Sequence, residues 1–447
     1  MNFAPMTDRA PLHRYVAAMR QLDPATRIGT VTRVMPTFVE ADGPGVPLGS
    51  HCALGAPGPR QCEAEVVKVE VGRVTLAPYT STAAICVGDP VCAMRVGDTI
   101  SVGPGWLGRV VDPLGRPLDG GAPLPASDAS WPLAGVSTPP LDRLSPVEPL
   151  ETGIRALDGL LTLGVGQRVG IFAGSGVGKT TLLASLARHV EADVCVLCLV
   201  GERGREAEEF WQRALSDSAR ARSTMVVATS DQPAVMRARS VLVALSVAEH
   251  FRAQGAHVLL LLDSVTRYAL ALREIGLAAG EPPTVRAYTP GVFAALPKIV
   301  ERCGAIRNSG AITALMTVLT ETDDIDDPMA ETMRALLDGH IVLTRELAEQ
   351  GHYPAIQVPR SISRVMQYVA EPNERRLAAE AVAQLAAYEA SRTLVESGLY
   401  APGSNPALDR ALQQRAALLD FLRQAPDVTT PRTTTVNALA ALLRDAA

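Results

Sequence analysis

Val169-Gly-Ile-Phe-Ala-Gly-Ser-Gly-Val-Gly-Lys-Thr-Thr-Leu-Leu183 constrains this chain more than any other stretch. A short apolar run enters a glycine-rich turn, and a helical pattern leaves it. In Gly174-Ser175-Gly176-Val177-Gly178-Lys179-Thr180-Thr181 the glycines permit unusual dihedrals and close approach, so backbone N–H groups can wrap a phosphate. Lys179 is placed to reach the β- and γ-phosphates and the Thr180 hydroxyl to ligate Mg²⁺, with the positive end of the following helix facing the anion. The position that opens the usual pattern is Ala173, not glycine. The remaining glycines and the strand–helix setting outweigh that departure.

Such a loop belongs in a parallel β-α-β sheet. Val169–Phe172, Val194–Val200, Met225–Ala228, Val258–Leu262 and Ile312–Leu319 are apolar runs of strand length separated by helical patterns. They predict central strands covered on both faces. Two of these runs end on carboxylates. Val258-Leu-Leu-Leu-Leu-Asp263 offers Asp263 for the water shell of the magnesium, although a strand-ending Asp can also cap the next helix. Glu202, in Gly201-Glu-Arg-Gly-Arg-Glu206, stands at the carboxyl edge beside the expected crevice, where a carboxylate can orient water toward a γ-phosphate. Arg203, Arg205 and Glu206 would support it. Taken alone, that segment reads more readily as a solvated charge run.

The flanks have other textures. Between residues 25 and 95, Val67, Val69 and Val71 alternate with Lys68 and Glu70, and close-spaced Gly and Pro predict a small β-barrel. Residues 9–22 carry Leu12, Tyr15, Val16, Met19 and Leu22 at helical spacing. The stripe fits packing on its own domain or docking a partner equally well. After about residue 370 the chain is rich in Ala and Leu and reads as helical, as in Glu374–Glu396. Only 4% of residues are aromatic, so the cores must be built from Leu, Val, Ile and Ala. The formal net charge of −5, with no Lys/Arg cluster, argues against a surface built for a nucleic-acid backbone. No stretch of eighteen apolar residues and no secretory pattern is present. Cys195 and Cys198 form a C-x-x-C, but inside an apolar run and without a second Cys/His pair at zinc spacing, which favours buried strand thiols in a reducing cytoplasm.

Gly108-Arg-Val-Val-Asp-Pro-Leu-Gly-Arg-Pro-Leu-Asp-Gly120, the phosphate loop, Gly201–Glu206 and Leu262-Asp-Ser-Val-Thr-Arg-Tyr268 together resemble the rotary-type ATPase superfamily. Gly276–Pro283, Asp338–Leu343, Gly351–Ile356 and Ser361–Met366 resemble its subgroup of export ATPases from flagellar and injectisome type III secretion. The match runs from about residue 25 to 425, and the phosphate loop is more similar to the flagellar branch.

The resemblance implies an α/β fold with a RecA-like P-loop core, an N-terminal β-barrel and a C-terminal helical domain. The expected boundaries are 1–24 for a docking helix, 25–98 for the barrel, 99–368 for the ATPase domain and 369–447 for the helices. It implies ATP and Mg²⁺ as ligands. Glu202 matches the catalytic glutamate, with Lys179 and Arg203 beside it. Thr180, Asp263 and Glu206 match the metal site, and Tyr353 an aromatic against adenine. Arg364 matches an arginine finger reaching into a neighbour's site in a homohexamer.

The partners implied are a dimeric stator-like regulator binding residues 1–22, a central stalk protein, the export gate and chaperone–substrate complexes. No nucleic acid is expected, and the place of work is the cytoplasmic face of the inner membrane, with peripheral association. The related readings are an injectisome ATPase, an F/V-type catalytic subunit and a hexameric RNA translocase. The acidic lever motif of the F/V-type subunit is absent from 370–447, and the basic, aromatic surface of an RNA translocase is not seen. A non-catalytic paralogue would be expected to lack Glu202 or the lysine. This chain departs from the family at Ala287-Tyr-Thr-Pro290, often Gly-Tyr-Pro-Pro, in a segment expected to face the ring's pore. It departs also near Leu315-Met316, where bulky aromatics are common, and at Asn405, where Asp is frequent.

Overall fold

A computed structural model describes residues 27–94, 99–125, 130–320 and 327–444. The chain divides into two compact units, Met1–Gly97 and Asp98–Ala447.

In the first unit six antiparallel strands close into a barrel: β1 (Ile28–Val34), β2 (Val39–Asp42), β3 (His51–Leu54), β4 (Cys62–Glu70), β5 (Arg73–Pro78) and β6 (Pro90–Ala93), in the order β1-β2-β5-β4-β3-β6. Its core is small: Val31, Val39, Leu54, Val66, Val74, Leu76 and Val91 with a few alanines and cysteines. Of the alternating valines, Val67 and Val69 lie on β4 and Val71 just beyond it, and none belongs to this core. Cys62, Ala64 and Val66 point inward instead, and Val69 and Val71 are exposed. A register irregularity between Val66 and Lys68 interrupts the alternation, as a bulge re-aims the residues beyond it.

The second unit is built on a ten-stranded sheet. Its main path runs through β18 (Ile362–Ser363), β17 (Gly339–Leu343), β11 (Arg168–Ala173), β16 (Ala311–Leu319), β14 (His257–Asp263), β12 (Val194–Glu202), β13 (Ser223–Thr229) and β8 (Arg109–Val111). The short strands β10 (Arg143–Leu144) and β15 (Gly304–Ile306) lie off that path, and β7 (Thr99–Ser101) pairs separately with β9 (Ser130–Pro132). From β17 to β8 along the path every pairing is parallel. The five apolar runs fall on β11, β12, β13, β14 and β16. The edge strands β8, β17 and β18 are short, and no comparable run marks them.

Each face of the sheet carries its own core. Cys195, Leu197 and Leu199 of β12 belong to one, and Val194, Val196, Cys198 and Val200 to the other. Cys195 and Cys198 therefore point to opposite faces and cannot act as a pair. Burial pushes both thiols up to about 12, so neither is a ready thiolate.

Three helices close the chain: Pro372–Glu396, Pro406–Leu422 and Arg432–Arg444. Glu371 and Glu374 form a capping box at the start of the first, with Pro372 in its first turn. Asn405 caps the second by accepting from Ala407 N and Leu408 N at 3.1 and 3.3 Å, a task Asn performs as well as Asp. Among the described residues no helix is long and apolar enough to cross a membrane. The expected docking helix at 9–22 lies outside the described residues.

Candidate active site

The carboxyl edges of β11, β12 and β14 bring the predicted loop and both carboxylates together. β11 ends at Ala173, and the helix Lys179–His189 begins directly after Gly178, which has φ 90°. A Cβ there would also lie 3.3 Å from the Tyr353 ring. Glycine thus meets two demands at once, a left-handed backbone and room for the aromatic face. Gly174, Ser175, Gly176, Lys179, Thr180 and Thr181 line an open cleft of about 1150 Å³, together with Glu202, Arg203 and Glu206. The Val177 side chain does not line it; it is buried in one of the cores.

Glu202 terminates β12 and Asp263 terminates β14, and both are buried. The pairing of β12 with β13 is irregular between Val200 and Glu202, and Gly201 between them has φ 67°. That break in alternation directs Glu202 into the cleft. Lys179 Nζ lies 2.5 Å from Asp263 Oδ1 and 3.4 Å from Glu202 Oε1. Asp263 also accepts from Thr317 Oγ1 at 2.7 Å. Burial pushes Glu202 up to about 7, reinforced by Asp263 and by a hydrogen bond with Glu206, while Lys179 and Arg267 pull the other way. A carboxylate poised near neutrality is suited to proton transfer.

Arg267 was not singled out from the sequence. It stands in the first turn of the helix Val265–Ala279, which follows Asp263 directly and is capped by Ser264. Its Nη2 lies 3.0 Å from Glu202 Oε2. The signal was its place four residues after the strand-ending Asp, within Leu262–Tyr268. Arg203 is less engaged than expected: it is mostly exposed and lies 3.8 Å from Glu206 Oε1.

A second, apolar slot adjoins the cleft through the shared Gly178 and Thr181. It is lined by Ile154, Leu182, Ser185, Tyr353, Pro354 and the stretch Gln424–Pro426 with Val428. Gln424 is saturated internally: Oε1 accepts from Arg155 N, and Nε2 donates to Gly153 O and Val428 O. The slot is mainly apolar and opens beside the phosphate loop.

Arg364 is elsewhere. It follows β18, which pairs with the amino end of β17, whereas the phosphate loop lies at the carboxyl edge. It lines a different cavity, with Arg168, Asp338 and Tyr368. In the family-variant segment Ala287 is exposed. Thr289 is fully buried, and Arg286 and Tyr288 line the nucleotide-sized cleft.

Comparison with known proteins agrees with this geometry. Residues 153–363 match the ATP synthase alpha/beta family nucleotide-binding domain. Residues 370–441 match the T3SS EscN ATPase C-terminal domain. A flagellum-specific ATP synthase of Bacillus subtilis (strain 168) is 43% identical, with 92% of this chain and 94% of that protein covered. An SPI-2 type 3 secretion system ATPase of Salmonella typhimurium is 47% identical, with 90% and 91% covered. The assembled ATPase EscN of the enteropathogenic E. coli type III secretion system superposes with a TM-score of 0.88 at 40% identity, covering 93% of this chain and 100% of that one. EscN in complex with its central stalk EscO superposes at 0.84 and 39% identity, with the same coverage.

Proposed function

The chain belongs to the type III secretion ATPase family, which includes the flagellum-specific ATP synthases, and on that premise we propose how its residues divide the work. It is an ATP hydrolase serving type III protein export. The observation that carries the assignment of roles is the meeting of Lys179, Glu202 and Asp263 at one sheet edge, opening on a cleft continuous with an apolar slot.

The triphosphate lies along Gly174–Thr181 and the base in the slot against Tyr353. Lys179 exchanges its carboxylate partners for the β- and γ-phosphates. The hard oxygens of Thr180 and Asp263, with Glu206 nearby, suit Mg²⁺, which keeps several waters and takes few protein ligands. When bound, the ion neutralises charge developing on the phosphate oxygens. Glu202 accepts the proton of the attacking water, and Arg267 holds its carboxylate in register. Arg203, mostly exposed, covers the mouth of the cleft.

Arg364 does not line its own subunit's cleft but a separate cavity, and its family match is an arginine that reaches a neighbour's site. The proposed assembly is therefore a homohexamer in which Arg364 completes the neighbour's site. Specific activity should rise with protein concentration as rings form. Arg364→Ala should still bind ATP and form rings but turn over about 10³-fold more slowly. Dilute monomer hydrolysing at the full rate overturns the shared site.

EscN's complex with its stalk supports a central stalk partner here too. The export gate, chaperone–substrate complexes and a stator-like dimer at residues 1–22 complete the proposed contacts, at the cytoplasmic face of the membrane. Flagellar service is proposed on the phosphate loop alone, since flagellar and injectisome relatives are comparably similar. Deleting the gene should abolish swimming, and a motile deletion strain would move the protein to an injectisome.

A further inference from the structure

Arg364 is held by a helix other than its own. Its guanidinium donates to Leu337 O and to Arg334 O, each at 3.2 Å. These carbonyls sit at the C-terminal end of the helix Pro328–Leu336, where unpaired acceptors and partial negative charge suit a cation. The other end of that helix is in the nucleotide cleft. Asp327 caps it, accepting from Met329 N at 2.9 Å, and its Oδ2 lies 3.5 Å from Arg286 Nη1. Asp327 and Arg286 both line the cleft that Lys179 and Glu202 line.

The helix between these ends is a fixed body. Met329, Ala330 and Met333 are buried. The Arg334 guanidinium lies 5.0 Å over the ring of Phe172, one residue before the end of β11. Its nine residues span about 13 Å. Arg286 approaches Asp327 from a stressed backbone: it and Ala287 have φ of 53° and 58°, a left-handed conformation that side chains other than glycine resist.

We propose that Asp327 is a positioning residue for Arg364. Through the helix Pro328–Leu336, the Arg286–Asp327 pair in a subunit's own cleft sets how that subunit presents Arg364 to its neighbour. The anionic phosphates of a bound nucleotide compete with Asp327 for Arg286, so the state of one site reaches the next through a single helix. The proposal rests on the shared-site reading above.

The test uses mixed rings. Donor subunits carry Lys179→Ala, which silences their own site and leaves Arg364 intact. Acceptor subunits carry Arg364→Ala. Rings of the two should regain turnover. Adding Asp327→Asn to the donor removes the charge pair and keeps the cap, since Asn caps as well as Asp. Regained kcat should then fall at least fivefold, with the KM for ATP of the acceptor sites and ring sedimentation unchanged. A donor with Arg286→Gln in place of Asp327→Asn should lose as much, and carries the test if Asp327→Asn subunits do not enter rings. Equal rescue by the plain and the doubly substituted donors overturns the positioning role. No rescue even by the plain donor, in rings that have formed, overturns the shared site itself and this proposal with it.

Discussion

Arg267 grips the end of β12 twice: one guanidinium nitrogen lies 3.0 Å from Glu202 Oε2 and the other donates to the carbonyl of Gly201. Backbone and side chain are fixed by one group, at the residue where the strand's alternation breaks.

A pH dependence follows. Burial raises Glu202 to about 7, and Arg267 is one of two cations restraining the rise. Accepting a proton requires the carboxylate form, so kcat/KM should climb as pH rises through about 7. Arg267→Met removes a stabiliser of that form, so the inflection should move to higher pH. Comparing variants at the same Mg·ATP cancels the titration of the substrate. An unmoved inflection would show that Arg267 does not act through Glu202.

Glu202→Gln keeps the side chain's size and removes its basicity. ATP affinity should be retained while turnover falls on the order of a hundredfold or more. Equilibrium binding with single-turnover hydrolysis separates the two, and near-normal turnover would refute the role.

The slot should weigh on binding and not on chemistry. Tyr353→Ala removes a ring half exposed at its mouth. Stacking of a base on an aromatic is worth roughly 1–3 kcal/mol, so Kd for ATP should rise on the order of tenfold or more, with kcat little changed. Tyr353→Phe should bind as the parent does. A titration in which Tyr353→Ala binds normally would place the base elsewhere.

Stability has its own test, far from the cleft. Arg302 is buried and donates to Glu249 at 2.8 and 2.9 Å, to Leu133 O at 2.7 Å and to Ser246 Oγ at 3.0 Å. Trp131 Nε1 donates to the same carboxylate. Glu249→Ala strands a buried guanidinium, a change costing about 3–5 kcal/mol. Denaturant unfolding should show that loss, and a shift below 1 kcal/mol would mean water reaches Arg302.

The phosphate loop and Asp263 were legible because each is local, whereas the Glu202 segment taken alone read as a solvated charge run and was singled out through family resemblance. A glycine loop between a strand and a helix, and an acid at the end of an apolar run, need only a dozen residues to be read. Arg267 was not singled out, since its place four residues after Asp263 does not reveal that it reaches Glu202. The base slot was mostly hidden too. Tyr353 was named through family resemblance, but Ile154 and Gln424–Val428 come together only by folding. In the barrel, the alternation at Val67–Val71 marks a strand but not its inward face, because one irregularity between Val66 and Lys68 changes the phase beyond it. The short edge strands β8 and β17 escaped notice, since three to five residues define no period.

The slot has two owners. Ile154, Thr181 and Leu182 come from the nucleotide core, whereas Gln424–Pro426 and Val428 form the connection between the closing helices Pro406–Leu422 and Arg432–Arg444. On the proposed placement of the base, moving those helices changes the grip on it, and gripping it resists that movement. Linkage makes the two effects equal in free energy. Whatever leans on the helices from outside can thereby loosen a nucleotide, and a nucleotide arriving pushes back by the same amount.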